Sequence, residues 1–215
     1  MMGYFVPNIL GDLVTVSNNP VDDGIVYQDD VLFNAILQAP YNYKWNGSQI
    51  LFRPRPDPYH AWNGTSWAFS QKLMDDARNS IWEKIKEYRQ LRQYMGVKIT
   101  TAGHDYWIHS DEVSRSLHLG LLGAAILHIL KNVIGITTLP AFPSGKYWKT
   151  MDVGPTGQPV FVLLDYVIAM QIFAADMDIT SACFTKAEEH RIMMEASSDP
   201  LNYDYTTNWP PVFGE

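Results

Sequence analysis

The residues that could carry acid–base, metal or nucleophilic chemistry in this chain are six histidines, one cysteine and a few carboxylate pairs. His104, His109 and Asp111 lie close in sequence, and that residue set suits a metal. Real ligand sets recur at regular spacing, however, and an odd separation sends His104 and His109 to opposite faces of a strand. His118 and His128 do not share a helical turn, and Glu189-His190 has no partner at helical spacing. No metal and no other cofactor is expected. Cys183 sits in an apolar, helix-like stretch with only Lys186 near enough to favour a thiolate, so it reads as an inert buried thiol. No Gly-x-Ser-x-Gly elbow occurs. The pairs Asp22-Asp23, Asp29-Asp30 and Asp75-Asp76 fit solvated faces or helix caps better than a glycosidase pair. The chain is not expected to be an enzyme.

Aromatic residues are abundant instead, with seven tryptophans and twelve tyrosines, many in turn-rich segments. Large rings in such places serve contact surfaces. The candidate partner-binding residues are Trp45, Trp62 and Trp67 in the first part, and Tyr203, Tyr205, Trp209 and Phe213 at the end. The tryptophans either form a small core or offer their faces to a sugar or a partner's aromatic rings. The tail either wraps its own domain or docks on another chain.

The elements that must position these residues change character near residue 70. Tyr43-Lys44-Trp45-Asn46-Gly47-Ser48 is echoed by His60-Ala61-Trp62-Asn63-Gly64-Thr65-Ser66-Trp67. Each Asn-Gly predicts a hairpin with a two-residue type I′ turn, which also accounts for both Asn-x-Ser/Thr glycosylation patterns. The first hairpin would pair Tyr43 and Trp45 with Ile50 and Phe52, the second Trp62 with Trp67. Arg53 to Pro58 alternates proline with polar residues and reads as an extended connector. Over 71–95, Leu73, Ala77, Ile81, Ile85, Tyr88 and Met95 form one apolar helical face, with Ser70 as N-cap and Gly96 just past the end. That helix is expected to bridge the two parts or to self-associate. Val97–Thr100 and His104–His109 form a further hairpin, and Ser110 caps a helix to about Lys131. The greasy run Leu117 to Leu130 reads as a buried core helix, too short to span a bilayer. Lys146–Met151 and Val160–Leu163 are strands, and Asp165 caps a long helix to about Ser197. Its apolar residues Val167, Met170, Ala174, Met177, Phe184 and Met193 would face the core.

The expected class is therefore α+β: a β-rich N-terminal domain over 1–70, a bridging helix over 71–95, and a C-terminal domain over 96–215 with an aromatic tail. With 47% hydrophobic and 18% charged residues the composition is that of a folded protein. A net charge of -7 argues against nucleic acid as the main partner. The N-terminus lacks the basic start and apolar stretch of a signal peptide, and neither secretion nor membrane insertion is expected. A single cysteine permits no intrachain disulfide and fits a reducing compartment.

Pro58 to Trp67, followed by Ala77-Arg78, Trp82, Ile85-Lys86 and Arg89, resembles a linear pattern of bacteriophage tail-fibre assembly and tail proteins. From Ile81 onward the chain also resembles a domain of unknown function at the C-terminus of such proteins. Its shared elements are Gly96, Tyr106-Trp107, His109-Ser110-Asp111, Trp148 to Asp152, Tyr203-Asp204 and Trp209-Pro210. The resemblance implies a non-enzymatic assembly chaperone or tail-fibre-associated protein. It would work in the host cytoplasm and be either released or kept in the virion tail. The implied partner is a tail-fibre protein. A structural virion subunit or a receptor-binding tip that recognises host glycan is the alternative.

Overall fold

The computed structural model describes residues 3–8, 13–17, 19–20, 22, 24–27, 30–143 and 145–215. Asp23 and Asp29, half of two of the carboxylate pairs above, lie outside them. The architecture is mixed α and β, with small antiparallel sheets and four α-helices among the described residues. It divides into two compact units, Met1–Ala77 and Arg78–Glu215, so the boundary falls inside the helix over 71–94.

The first unit opens on a three-stranded sheet. Strand β1 (Gly3–Pro7) lies between β2 (Leu13–Ser17) and β3 (Ile25–Tyr27), antiparallel to both. Helix α1 (Asp30–Gln38) contributes Ile36 to a core with Phe5, Leu13 and Tyr43, all buried. Gly3 is obligatory there: a Cβ would lie 2.1 Å from the Phe33 ring, which is itself buried. Two hairpins follow, β4–β5 (Tyr43–Trp45, Ile50–Phe52) and β6–β7 (His60–Trp62, Trp67–Phe69). Their registers are those expected, Trp45 opposite Ile50 and Trp62 opposite Trp67.

The turns are not type I′. Each loop has four residues, and only its glycine takes a positive φ, 97° at Gly47 and 99° at Gly64. The asparagine acts through its side chain instead. Asn46 Oδ1 accepts from the backbone of Ser48 and Gln49 and from the Ser48 hydroxyl. Asn63 Oδ1 does the same for Thr65 and Ser66. A short amide that can fold back on the chain closes the loop without the strained backbone a two-residue turn demands.

Helix α2 (Gln71–Tyr94) starts at Ser70, whose Oγ accepts from Leu73 N at 3.4 Å, and ends before Gly96 at φ 99°. In the second unit Ile81 and Ile85 from α2 are buried against Cys183, Ala187, Met194 and Trp209. The part of the expected stripe at Ile81 and Ile85 is covered within this chain. Hairpin β8–β9 (Val97–Thr101, His104–Ile108) turns on Ala102-Gly103, both at positive φ.

Helix α3 (Glu112–Asn132) is capped by Asp111, which accepts from Ser114 N at 3.1 Å, and not by Ser110. Ser110 is buried and tied elsewhere, accepting from Gly96 N and donating to the Gln93 carbonyl. Strands β10 (Lys146–Val153) and β11 (Pro159–Leu164) form the last hairpin, and α4 (Tyr166–Ala196) is capped by Asp165 as expected. The core of the unit holds Val97, Ile99 and Ile108 from β8–β9 with Val162, Ile168 and Ile172.

Two burial expectations are corrected. The face of α4 with Val167, Met177, Phe184 and Met193 is exposed, while Ile168, Ile172, Asp176, Cys183, His190 and Met194 point inward. Apolar residues occur on every side of this helix, so periodicity carries no signal for the buried face; the inward face mixes large apolar residues with small and polar ones. Helix α3 is not a core helix either. Only His118 and Ala125 are buried in it, and both α3 and α4 are long and apolar enough to cross a membrane.

Candidate interaction surfaces

The hairpin tryptophans of the first unit are drawn together by the strands that carry them. Trp62 and Trp67 face one another across β6–β7, ring centroids 5.5 Å apart and nearly perpendicular. Lys44 of β4 places its Nζ 4.7 Å from the Trp67 centroid and 5.3 Å from that of Trp62. Arg55 approaches Trp67 as well, and the Trp67 indole donates to the Arg53 carbonyl at 2.8 Å. Lys44 is buried, and that burial, aided by the charge of Arg55, lowers its pKa. The indole faces are thus occupied by cations of the same unit, where cation–π attraction is strengthened by exclusion of water. Trp45 packs beside Phe5 at the margin of the core.

The aromatic tail is folded onto the second unit. Trp209 is buried, stacks on His190 at 5.3 Å and 24°, and meets the edge of Tyr88. Tyr205 also meets Tyr88, and its carbonyl accepts from the Trp209 indole at 2.7 Å. His190 uses both ring nitrogens, Nδ1 toward the Tyr203 hydroxyl at 2.7 Å and Nε2 toward the Thr207 carbonyl at 3.0 Å. Phe213 stands against Trp107. The last turn is clamped by Arg92, which donates to both carboxylate oxygens of Glu215 and to the Pro210 carbonyl. Of the seven candidate contact residues, Trp209 is removed from any outer surface by its burial; the other six are half-buried and already engaged within their own unit.

A polar hub ties α2, α3 and α4 together. Arg115 donates to the carbonyls of Ser110 and Gln93 and to the Thr180 hydroxyl, each at 2.8 Å. His118 Nδ1 meets Asp176 Oδ2 at 2.5 Å, with Trp148 beside the ring. The His118–Asp176 pair has the look of a catalytic dyad, but the ring is closed off from solvent, and no hydroxyl or thiol is bonded to its Nε2. It joins α3 to α4. Among the described residues no group of three His, Cys, Asp or Glu side chains is gathered as a metal-ligand set.

The surface that sequence reasoning missed is the outer side of β10–β11. Trp148 and Val162 face inward, as an ordinary half-buried hairpin requires. The opposite face is largely apolar too, with one charge, the exposed Lys149 opposite Phe161. Tyr147 pairs with Leu163 and Val153 with Pro159, and Tyr147, Val153, Phe161 and Leu163 are all more than half exposed. Strand β11 is bonded to β10 on one side, and no other described strand pairs with its second edge. A recess of about 290 Å³, walled by His128, Phe142, Leu164 and Tyr166, opens beside Leu163. His128 is stacked on Tyr166 there at 4.6 Å, which fixes the recess wall. The signal was present as the unbroken apolar run Val160 to Leu164, a pattern proper to strands covered on both faces.

Comparison with known proteins adds one match. Residues 76–207 fit the model of a family described as a domain of unknown function, DUF4376. No curated protein and no solved structure matches the chain.

Proposed function

We propose that this chain, which belongs to the DUF4376 family, is a non-enzymatic tail-fibre assembly chaperone or tail-fibre-associated protein of a tailed bacteriophage. The residue pattern over 58–89 and from Ile81 onward supports the phage setting. The observation that carries the binding role is the β10–β11 hairpin, whose outer face is largely apolar around the single charge of Lys149 and whose strand β11 pairs with no other described strand on its second edge. An incoming fibre strand can extend the sheet at that edge through backbone hydrogen bonds, and set an apolar side chain into the recess beside Leu163. A solvent-exposed edge with apolar side chains is otherwise an aggregation hazard, which a permanent or transient partner removes. Glycan stacking on Trp62 and Trp67 is less favoured, because Lys44 and Arg55 hold their faces. The protein would act in the host cytoplasm while the fibre folds.

The test is capture of the fibre. The chain is co-expressed with the proteins of its neighbouring genes, a tail-fibre protein being expected among them, and recovered by an affinity tag. Wild type should retain the fibre, and a Phe161→Asp, Leu163→Ser double variant should lose it while melting at the same temperature. Equal capture by both, or by neither, overturns the reading.

A further inference from the structure

We propose that the exposed face of α3 is a homotypic interface, on which a second copy of this chain packs its own α3 antiparallel about a two-fold axis. From Ser116 to Leu130 the helix has no side chain of fixed charge. Its outward arc carries Val113, Leu117, Leu119 and Ile126 at 70, 54, 61 and 46% exposure, and Val133 and Ile134 continue it just past the helix. A helix that is apolar all round belongs inside something, and here one side only is covered. The exposed parts of those six side chains amount to on the order of 600 Å², against about 800 Å² that each partner gives a standard interface.

The register follows from the residues themselves. Gly120 and Gly123 lie at the centre of the arc, and a Cβ at either would meet nothing within 4 Å. When Gly120 of one copy faces Gly123 of the other, positions equidistant from that centre oppose each other. Leu117 then meets Ile126, Val113 meets Leu130, and Glu112 meets Lys131. The two-fold makes every pair twice, so the same antiparallel register that buries the apolar arc closes it with two Glu112–Lys131 ion pairs. Among the described residues neither Glu112 nor Lys131 makes an ion pair within its own chain. Antiparallel helix dipoles favour this arrangement, and glycines at the crossing allow an approach at the short end of the usual 8–10 Å. An uncharged centre also lets two chains of net charge -7 meet without like charges across it.

The proposal is independent of the fibre reading and is tested on the whole chain by sedimentation equilibrium. The expected mass is twice the 24.5 kDa of one chain. Gly123→Leu should return it to the single-chain mass without lowering the melting temperature, since the new side chain meets open space within its own chain. Glu112→Lys should weaken association at least tenfold, and adding Lys131→Glu should restore it. A single-chain mass for the wild type at all concentrations overturns the proposal, as does a multimer indifferent to Gly123→Leu. Flotation of the wild type with phosphatidylcholine–phosphatidylglycerol vesicles, lost in Gly123→Leu, would make a lipid surface the occupant and overturn it equally. So would a single-chain protein that needs Gly123 to capture the fibre.

Discussion

The Tyr203 hydroxyl donates to Nδ1 of His190 at 2.7 Å, and Nε2 of the same ring donates to the Thr207 carbonyl at 3.0 Å. A helix residue and a tail residue thirteen positions later are thereby locked in one tautomer, with Trp209 laid flat on the ring. Satisfying both nitrogens of a buried imidazole defines the path of the tail more sharply than apolar packing alone, because a buried nitrogen left without a partner would cost about 1–3 kcal/mol.

This bond makes the tail sensitive to acid. Burial holds His190 below the ordinary histidine range; the Thr207 carbonyl opposes that, Lys186 reinforces it, and Glu189 and Asp204 oppose it. The native state therefore keeps the ring neutral where the unfolded chain, titrating near about 6.5, takes up a proton. The stability it contributes is fully present above about pH 6.5 and is lost as pH falls through the lowered native value. Melting temperature should drop between pH 7 and pH 5, and His190→Gln should start lower and flatten that slope. An equal slope in the variant would place the acid sensitivity elsewhere.

Removing the tail should cost stability. Trp209 is buried with Ile81, Ile85 and Met194, and Trp209→Ala should destabilise by about 3–5 kcal/mol. Tyr203→Phe loses one hydrogen bond and should cost about 1 kcal/mol. Deletion of residues 203–215 should lower the melting temperature at least as much as Trp209→Ala, by urea or heat. A deletion that melts like wild type would mean that the tail packs without contributing.

Which parts of this were legible in the sequence depends on how far the signal reaches. Hairpin registers, the Asp165 cap and the extent of α4 were readable, because neighbouring residues encode them. The Asn-Gly turns were located but given the wrong mechanism, since a dipeptide does not reveal whether its asparagine acts through φ or through its amide. Lys44 lies between Tyr43 and Trp45 with no local signal of burial, yet two tryptophans from the next hairpin cover it. His118 and Asp176 are 58 positions apart, and no local pattern joins them. The α3 and α4 faces were misassigned because apolar residues lie on every side of both helices and leave no clear polar side to mark the solvent.

Lys44 should be worth more than a surface lysine. Its ammonium group lies over two indoles with water largely excluded, where such contacts reach about 2 kcal/mol. Lys44→Met keeps most of the packed stem and removes the charge; Lys44→Ala removes both. The methionine variant should lose about 1–2 kcal/mol in urea denaturation and the alanine variant more. Both should shift tryptophan emission and open Trp62 and Trp67 to quenching by acrylamide. Unchanged quenching in Lys44→Ala would mean that the indoles are covered by something other than this cation.

The two kinds of turn predict changes of opposite sign. In β6–β7 the Asn63 amide oxygen accepts three hydrogen bonds, so Asn63→Ala strips the loop of its closure and should cost about 1–2 kcal/mol. Asn46→Ala should behave alike in β4–β5, where the same three bonds recur. The two-residue turn of β8–β9 is built differently. Ala102 is held at φ 50°, a left-handed conformation that costs an L-residue with a Cβ roughly 1–2 kcal/mol and that glycine or asparagine accepts readily. Gly103 already fills the second position at φ 78°. Ala102→Asn should therefore raise stability by about 1 kcal/mol, seen as a higher urea midpoint with an unchanged slope. Glycine at the same place should gain less, because it also frees the unfolded chain. If Ala102→Asn leaves the midpoint where it was, the hairpin is held by Lys98–Asp105 and its other cross-strand pairs so firmly that turn strain does not reach the folding equilibrium.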